Sequence, residues 1–266
     1  MSFAEEWTAR DRADLQAAAK LLEGHSLAMT LASKVGMPME SLMKMLPAGA
    51  QERIGSAVNK ALERCLHVAL SFDAGSRSAP GRRARPVWTT GATGALGGFF
   101  GLPGLLVELP VTTTVMLHAI AGIAREQGED LADPAAALAC LEVLALGPDG
   151  TAAGKGALES AYYASRAALT QVTRDAAVFI AQKGVAKEGA PVLVSFLGKI
   201  AARFGLEVSE KAAAQWIPIA GAVGGAALNV LFMQHFQRLA EGHFIVRRLE
   251  RSYGVDAVRS AFEKAL

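Results

Sequence analysis

Apolar residues recur at three- and four-residue intervals along nearly the whole chain, and no stretch keeps the alternation of a half-buried strand. The clearest stripe is Ile54, Ala57, Val58, Ala61, Leu62 and Cys65, one face of a helix predicted from about Ala50 to Phe72. Ahead of it the pattern predicts a helix from about Ala4 to Leu22 and a second from His25 to Val35, stopped by Gly36 and Pro38. A short amphipathic turn, Glu40 to Leu46, is closed by Pro47. Further on, Pro110 suits the first turn of a helix ending near Gln127 and Gly128. Asp133-Pro134 sets an N-cap acid before a proline at the first helical position, and that helix should end at Gly147-Pro148. After a Gly-rich loop to Gly156, a long helix is expected from about Leu158 to Lys187. Pro191 opens another, ending near Phe204-Gly205. A last long helix should run through Phe244 to Arg251, break at Gly254, and give way to a short one from Val255. The fold class predicted is all-α, a single-domain helical bundle.

Within that bundle the chain divides into N-terminal helices over 1–72, a basic loop over 73–87 and a helical core over 88–266. Pro80, Gly81 and Pro86 keep the loop irregular, and Arg77, Arg82, Arg83 and Arg85 make it basic. It is either a solvated connection or a contact for lipid or nucleic-acid phosphate. Directly after it, Pro86 to Val107 is 22 residues without a formal charge, and Ala212 to Gln237 is a further 26. Both are long enough to cross a hydrocarbon layer of ~30 Å. Pro103, Glu108 and Pro110 interrupt the first, however, and Gln215, Asn229, Gln234 and His235 mark the second. Buried core helices or a shallow membrane-inserting hairpin suit such residues better than simple spans. Gly94 and Gly98, and Gly221 and Gly225, stand four apart, which on a helix lets a neighbouring backbone approach closely. The expectation is two central glycine-rich apolar helices packed on each other.

Composition narrows the classes. The 266-residue chain has 52% hydrophobic and 20% charged residues, too apolar for a disordered protein. A net charge of +2 offers no general attraction for nucleic acid, so no nucleic-acid partner is expected. The two cysteines, Cys65 and Cys140, sit in apolar surroundings without CxxC spacing and read as buried thiols. With charges of both signs and no apolar run over residues 1–14, a signal peptide is not expected, and a cytoplasmic setting follows.

No HExxH, GxSxG or Cys/His cluster is present, so neither a metal site nor a cofactor is expected. Gly150 to Gly156 resembles a phosphate loop only superficially: it is one residue short between glycines and lacks Ser or Thr after Lys155. What remains is a scatter of polar residues in apolar helices. Glu108, His118, Glu142 and His235 are the candidates for acid–base work, because a carboxylate buried without a partner holds its proton more tightly. Against this, Glu108 could cap a helix starting at Pro110, and Thr112 and Thr113 could return their hydroxyls to helix carbonyls. The histidines could be ordinary core or surface residues. Arg247 and Arg248 lie on a basic amphipathic arm, either solvated with Glu241 and Glu250 as ion partners or part of an anionic-surface site.

Several stretches carry a family resemblance. Gly101-Leu-Pro-Gly-Leu-Leu-Val-Glu-Leu-Pro-Val-Thr-Thr-Thr114 with Ala121-Gly-Ile-Ala-Arg-Glu-Gln-Gly-Glu-Asp130 is the first. The second is Val208 to Asn229, with Ser209-Glu-Lys211 and Gly221-Ala-Val-Gly-Gly225. Cys140-Leu-Glu-Val, Ala161-Tyr-Tyr163, Gly242-His-Phe and Arg247-Arg248 complete the set. Over about residues 86–254 the chain resembles the bacterial EcsC family. The resemblance implies a helical protein linked to an ABC-transporter operon, with members sometimes labelled peptidases or hydrolases, and it brings no catalytic residues. The second glycine-rich stretch also resembles helical segments of membrane-associated GTPases.

Two readings follow. The first is a non-catalytic helical accessory protein, cytoplasmic or peripheral at the inner membrane face, whose partners are an anionic membrane surface and a transporter or secretion component. The second is a peptidase-like hydrolase, metal-dependent in one version, using buried Glu and His. Oligomeric state is left open.

Overall fold

The computed structural model describes residues 7–24, 26–72, 101–147, 160–183, 190–215 and 224–266, with backbone alone at 101–103, 105 and 224–226. Among the described residues there are α-helices and no strand. In chain order they are α1 (Ala9–Leu22), α2 (Leu27–Val35), α3 (Met39–Lys44), α4 (Ala50–Leu70), α5 (Gly101–Glu126) and α6 (Pro134–Glu142). A 3₁₀ turn (Val143–Ala145) follows, then α7 (Ala161–Lys183), α8 (Pro191–Gln215), α9 (Gly224–Tyr253) and α10 (Val255–Glu263). The all-α bundle is therefore the observed fold.

Local signals explain most boundaries. Thr8 and Ser26 cap α1 and α2 by accepting backbone N–H groups of Asp11 and Met29, and Asp133 caps α6 through the Ala135 N–H. Gly36 ends α2 in the left-handed region at φ 75°. Two helices run further than their sequences suggest. α5 passes through Pro110, so the helix does not begin there, and Glu108 lies inside it instead of capping it. α8 continues past Gly205 to Gln215, since a glycine inside a helix costs only about 1 kcal/mol when packing holds both sides.

The helices share one apolar core reaching from Leu15 to Phe262. α4 packs on α5, α6 and α8, while α9 carries α1 on one flank, α5 on another and α10 near its end. α6 packs on α7, and α7 on α8. On α5 the residues Leu109, Thr113, Met116, Leu117, Ile120, Ala121 and Ala124 are buried, a stripe of helical period turned inward. By length and composition Leu106–Glu126 is apolar enough to cross a membrane, with 33% of its most apolar 18-residue window buried in the bundle. Cys65 and Cys140 are buried free thiols, as their surroundings predicted. Arg77, Arg82, Arg83 and Arg85, together with Gly94, Gly98 and Gly221, lie outside the described residues. Gly225 belongs to the first turn of α9. The expected pairing of the two glycine-rich segments thus falls almost wholly outside the described residues.

Candidate functional site

Two polar clusters interrupt the core, and α9 contributes to both. The first joins α5, α8 and α9. Glu108 Oε1 accepts hydrogen bonds from Thr112 Oγ1 on its own helix and from Asn229 Nδ2 on α9, each at 3.1 Å. Thr112 therefore serves the carboxylate, whereas Thr113 donates to the Leu109 carbonyl at 2.7 Å as its position predicted. Lys211, 1% exposed, places its ammonium 4.7 Å from the Phe232 ring centroid. Burial pushes its pKa down to about 8 even though the Glu108 charge opposes the shift.

One turn earlier on α8, Glu207 lies 3.4 Å from Arg203 Nε and 3.7 Å from His235 Nε2. Glu210 is 7% exposed, and burial together with the neighbouring Glu207 raises its pKa to about 7. The His235 ring thus lies beside the Glu207 carboxylate, and His118 sits on the exposed side of α5 with Nδ1 2.9 Å from the Thr114 carbonyl oxygen.

The second cluster lies between α6, α7 and α9. Glu142, 5% exposed, accepts a hydrogen bond from Thr173 Oγ1 on α7. Burial raises its pKa, and the Thr173 bond and the charges of Arg247 and Arg166 offset this only in part. Two bidentate ion pairs frame it. Arg166 meets Glu250 at 2.6 and 2.7 Å, and Arg247 meets Glu129 at 2.9 and 3.0 Å. Arg251 adds a further bond to Glu129, and Arg248 reaches Asp14 on α1 at 2.6 Å.

Behind Arg166, the buried Tyr162 hydroxyl lies 3.0 Å from His243 Nδ1. Burial, with the charges of Arg166 and Arg247, holds the His243 pKa well below its ordinary value. In front of the ion pairs opens a cavity of about 440 Å³ lined by Glu142, Thr173, Arg174, Ala177, Val178 and Arg247 among others.

The arrangement corrects one expectation directly. Glu250 pairs with Arg166 on α7 instead of with the arm's own arginines, whose acids are Glu129 and Asp14. Among the described residues neither Glu108 nor Glu142 has a histidine as a hydrogen-bond partner. Among the described residues no group of three or more His, Cys, Asp or Glu is placed to hold a metal ion.

Sequence reasoning missed Glu207, Glu210 and Lys211, although a signal was there. Phe196, Ile200, Phe204, Val208 and Lys211 keep the four-four-four-three spacing of one buried stripe, which carries the lysine inside once α8 is extended. The Arg166–Glu250 and Arg247–Glu129 pairs span too much sequence to leave any spacing signature.

No curated protein and no solved structure matches the chain. The model of the EcsC protein family, by contrast, matches residues 12–249. The match begins inside α1, well before the residues that first carried the resemblance, and α1 is held to α9 by the Arg248–Asp14 ion pair and its apolar face. Because the match spans most of the 266 residues, the chain belongs to the EcsC protein family.

Proposed function

We propose that this chain is a non-catalytic accessory protein that docks on anionic membrane surfaces from the cytoplasmic side, where it serves a transport or secretion component. The observation that carries the reading is the outer face of α5. Val107 is 79% and Val111 54% exposed, one turn apart on a helix whose opposite face is core. Val230, next to the Asn229 that bonds Glu108, is 39% exposed on α9. In sequence this end of α5 is the last part of the 22-residue uncharged run, which Arg77, Arg82, Arg83 and Arg85 precede.

Magnitudes favour the two features acting together. Burying a valine contributes roughly 1.5–3 kcal/mol, and each basic residue near an anionic leaflet about 1 kcal/mol. Two valines alone would bind weakly and four arginines alone would be released by salt, whereas the pair of signals gives reversible anchoring. The bonding of Glu108 and Glu142 to threonine and asparagine, with no histidine partner among the described residues, favours this reading over hydrolysis.

Vesicle flotation tests it. The protein should float with vesicles containing phosphatidylserine, less so with pure phosphatidylcholine, and binding should fall with added salt. V107S/V111S and the fourfold Arg→Gln change at 77, 82, 83 and 85 should each weaken it. Flotation that ignores lipid charge and both sets of substitutions, or no flotation at all, would defeat the proposal.

A further inference from the structure

The cavity between α6, α7 and α9 has the make-up of a ligand site distinct from the membrane-facing end of α5. Its volume, about 440 Å³, lies in the range of small-molecule pockets. One wall is apolar: Pro134 and Ala135 from α6, and Ala177, Val178 and Ala181 from α7, with Val178 50% exposed. The polar residues are Asp133, Glu142, Arg166, Thr170, Thr173, Arg174 and Arg247.

One oxygen of each carboxylate is engaged: Asp133 Oδ1 accepts the Ala135 N–H as the cap of α6, and Glu142 Oε1 accepts from Thr173. Guanidinium donors are left over as well. Arg247 gives Nε and Nη2 to Glu129, which leaves the two N–H groups of Nη1. Arg166 gives Nη1 and Nη2 to Glu250 and Nη1 also to the Tyr162 hydroxyl, which leaves Nε–H and one N–H of Nη2. Arg174 lies exposed at the mouth and has no ion pair among the described residues. A site with spare guanidinium donors and a short apolar wall selects a group that accepts hydrogen bonds, carries negative charge and trails a few carbons.

We infer that this cavity binds a small organic monocarboxylate, with the carboxylate toward Arg174 and Arg247 and the apolar body along Ala177 and Val178. Burial raises the pKa of Glu142, which lessens the repulsion its carboxylate would exert on such a ligand.

Hexanoate and hexylamine are suitable probes, equal in length and opposite in charge. Binding to the full chain is read by saturation-transfer NMR and by calorimetry. Hexanoate should bind with a Kd of roughly 1 mM or tighter, and hexylamine should not. Ala177→Phe fills the apolar wall and should abolish the hexanoate signal while the melting transition stays cooperative. Arg174→Gln changes only an exposed side chain, leaves the fold intact and should weaken hexanoate about two- to fivefold. The assignment is overturned if hexanoate fails to bind at roughly 10 mM. It is equally overturned if hexylamine binds as well as hexanoate, or if R174Q leaves the hexanoate affinity unchanged.

Discussion

Replacing Gly242 by alanine should destabilise the protein, although alanine is the better helix former. Gly242 lies within α9 where α1 crosses it. A Cβ at this position would stand 2.6 Å from Leu22 Cγ, 3.1 Å from Leu22 Cδ2 and 3.2 Å from the Ala18 carbonyl oxygen. Carbon atoms in contact settle at about 3.5–4.0 Å, so Leu22 would have to retreat by roughly 1 Å. Leu22 and Ala18 are both fully buried, and Ala18 presents backbone, so α1 as a whole must shift. Overpacking of this kind costs about 1–3 kcal/mol, against a helix-propensity gain of about 1 kcal/mol. The net loss expected is about 1 kcal/mol for G242A, and considerably more for G242L. Gly198 in α8 provides the control, because a Cβ there meets nothing within 4 Å. G198A should therefore gain about 0.5–1 kcal/mol from the same chemical change. Urea unfolding followed by circular dichroism reads both as shifts of the midpoint at constant slope. If G242A proves as stable as the parent, the close crossing of α1 and α9 is wrong.

Three further outcomes follow from buried groups. Glu210 has its folded-state pKa raised from 4.5 to about 7, so the folded form binds the proton more tightly than the unfolded chain. Stability should then fall as pH rises from about 4.5 to 7, by up to about 3 kcal/mol, and E210Q should flatten that slope in urea titrations at several pH values. Arg166→Met strands Glu250, whose side chain is 7% exposed, and should cost about 3–5 kcal/mol, with the double variant R166M/E250L recovering much of it. Cys65 and Cys140 have pKa values pushed up to about 12 by burial, so neither should react with a thiol reagent at pH 8 until denaturant is added, when both should.

The parts of the fold that were legible in the sequence are those decided locally. The α4 stripe from Ile54 to Cys65 and the Asp133-Pro134 start of α6 depend on spacing and capping within a few residues, and the structure agrees with both. Pro110 and Gly205 are local signals too, and they misled because tertiary packing overrode them: α5 is held by α4 and α9, and α8 by α4 and α7. The mistake at Gly205 hid Glu207, Glu210 and Lys211, which read as a polar segment until α8 is continued through them. Glu142 was legible as a candidate because a lone carboxylate in the apolar run Cys140-Leu-Glu-Val is conspicuous. Its surroundings were not, since Arg166, Thr173 and Arg247 arrive from α7 and α9 through contacts that only the fold creates.

α9 is the one described helix that gives side chains to both polar clusters, and its geometry bears on whether they influence one another through it. Asn229 serves the cluster at the α5 end and Arg247 the cavity, which at 1.5 Å per residue puts them about 27 Å apart along the axis. The screening length at physiological salt is about 8 Å, so a carboxylate bound near Arg247 exerts almost no field at the surface proposed to meet lipid. Communication between them would have to be mechanical, by movement of α9 as a rod. That rod is clamped midway by Gly242 against Leu22 and further along by Arg248 on Asp14, so displacing it means breaking its seat on α1. Through α9, therefore, the proposed membrane contact and the proposed carboxylate site should not be coupled in energy. Saturating hexanoate should leave vesicle flotation unchanged in the parent chain, and a shift in flotation would mean that α9 moves against α1 after all.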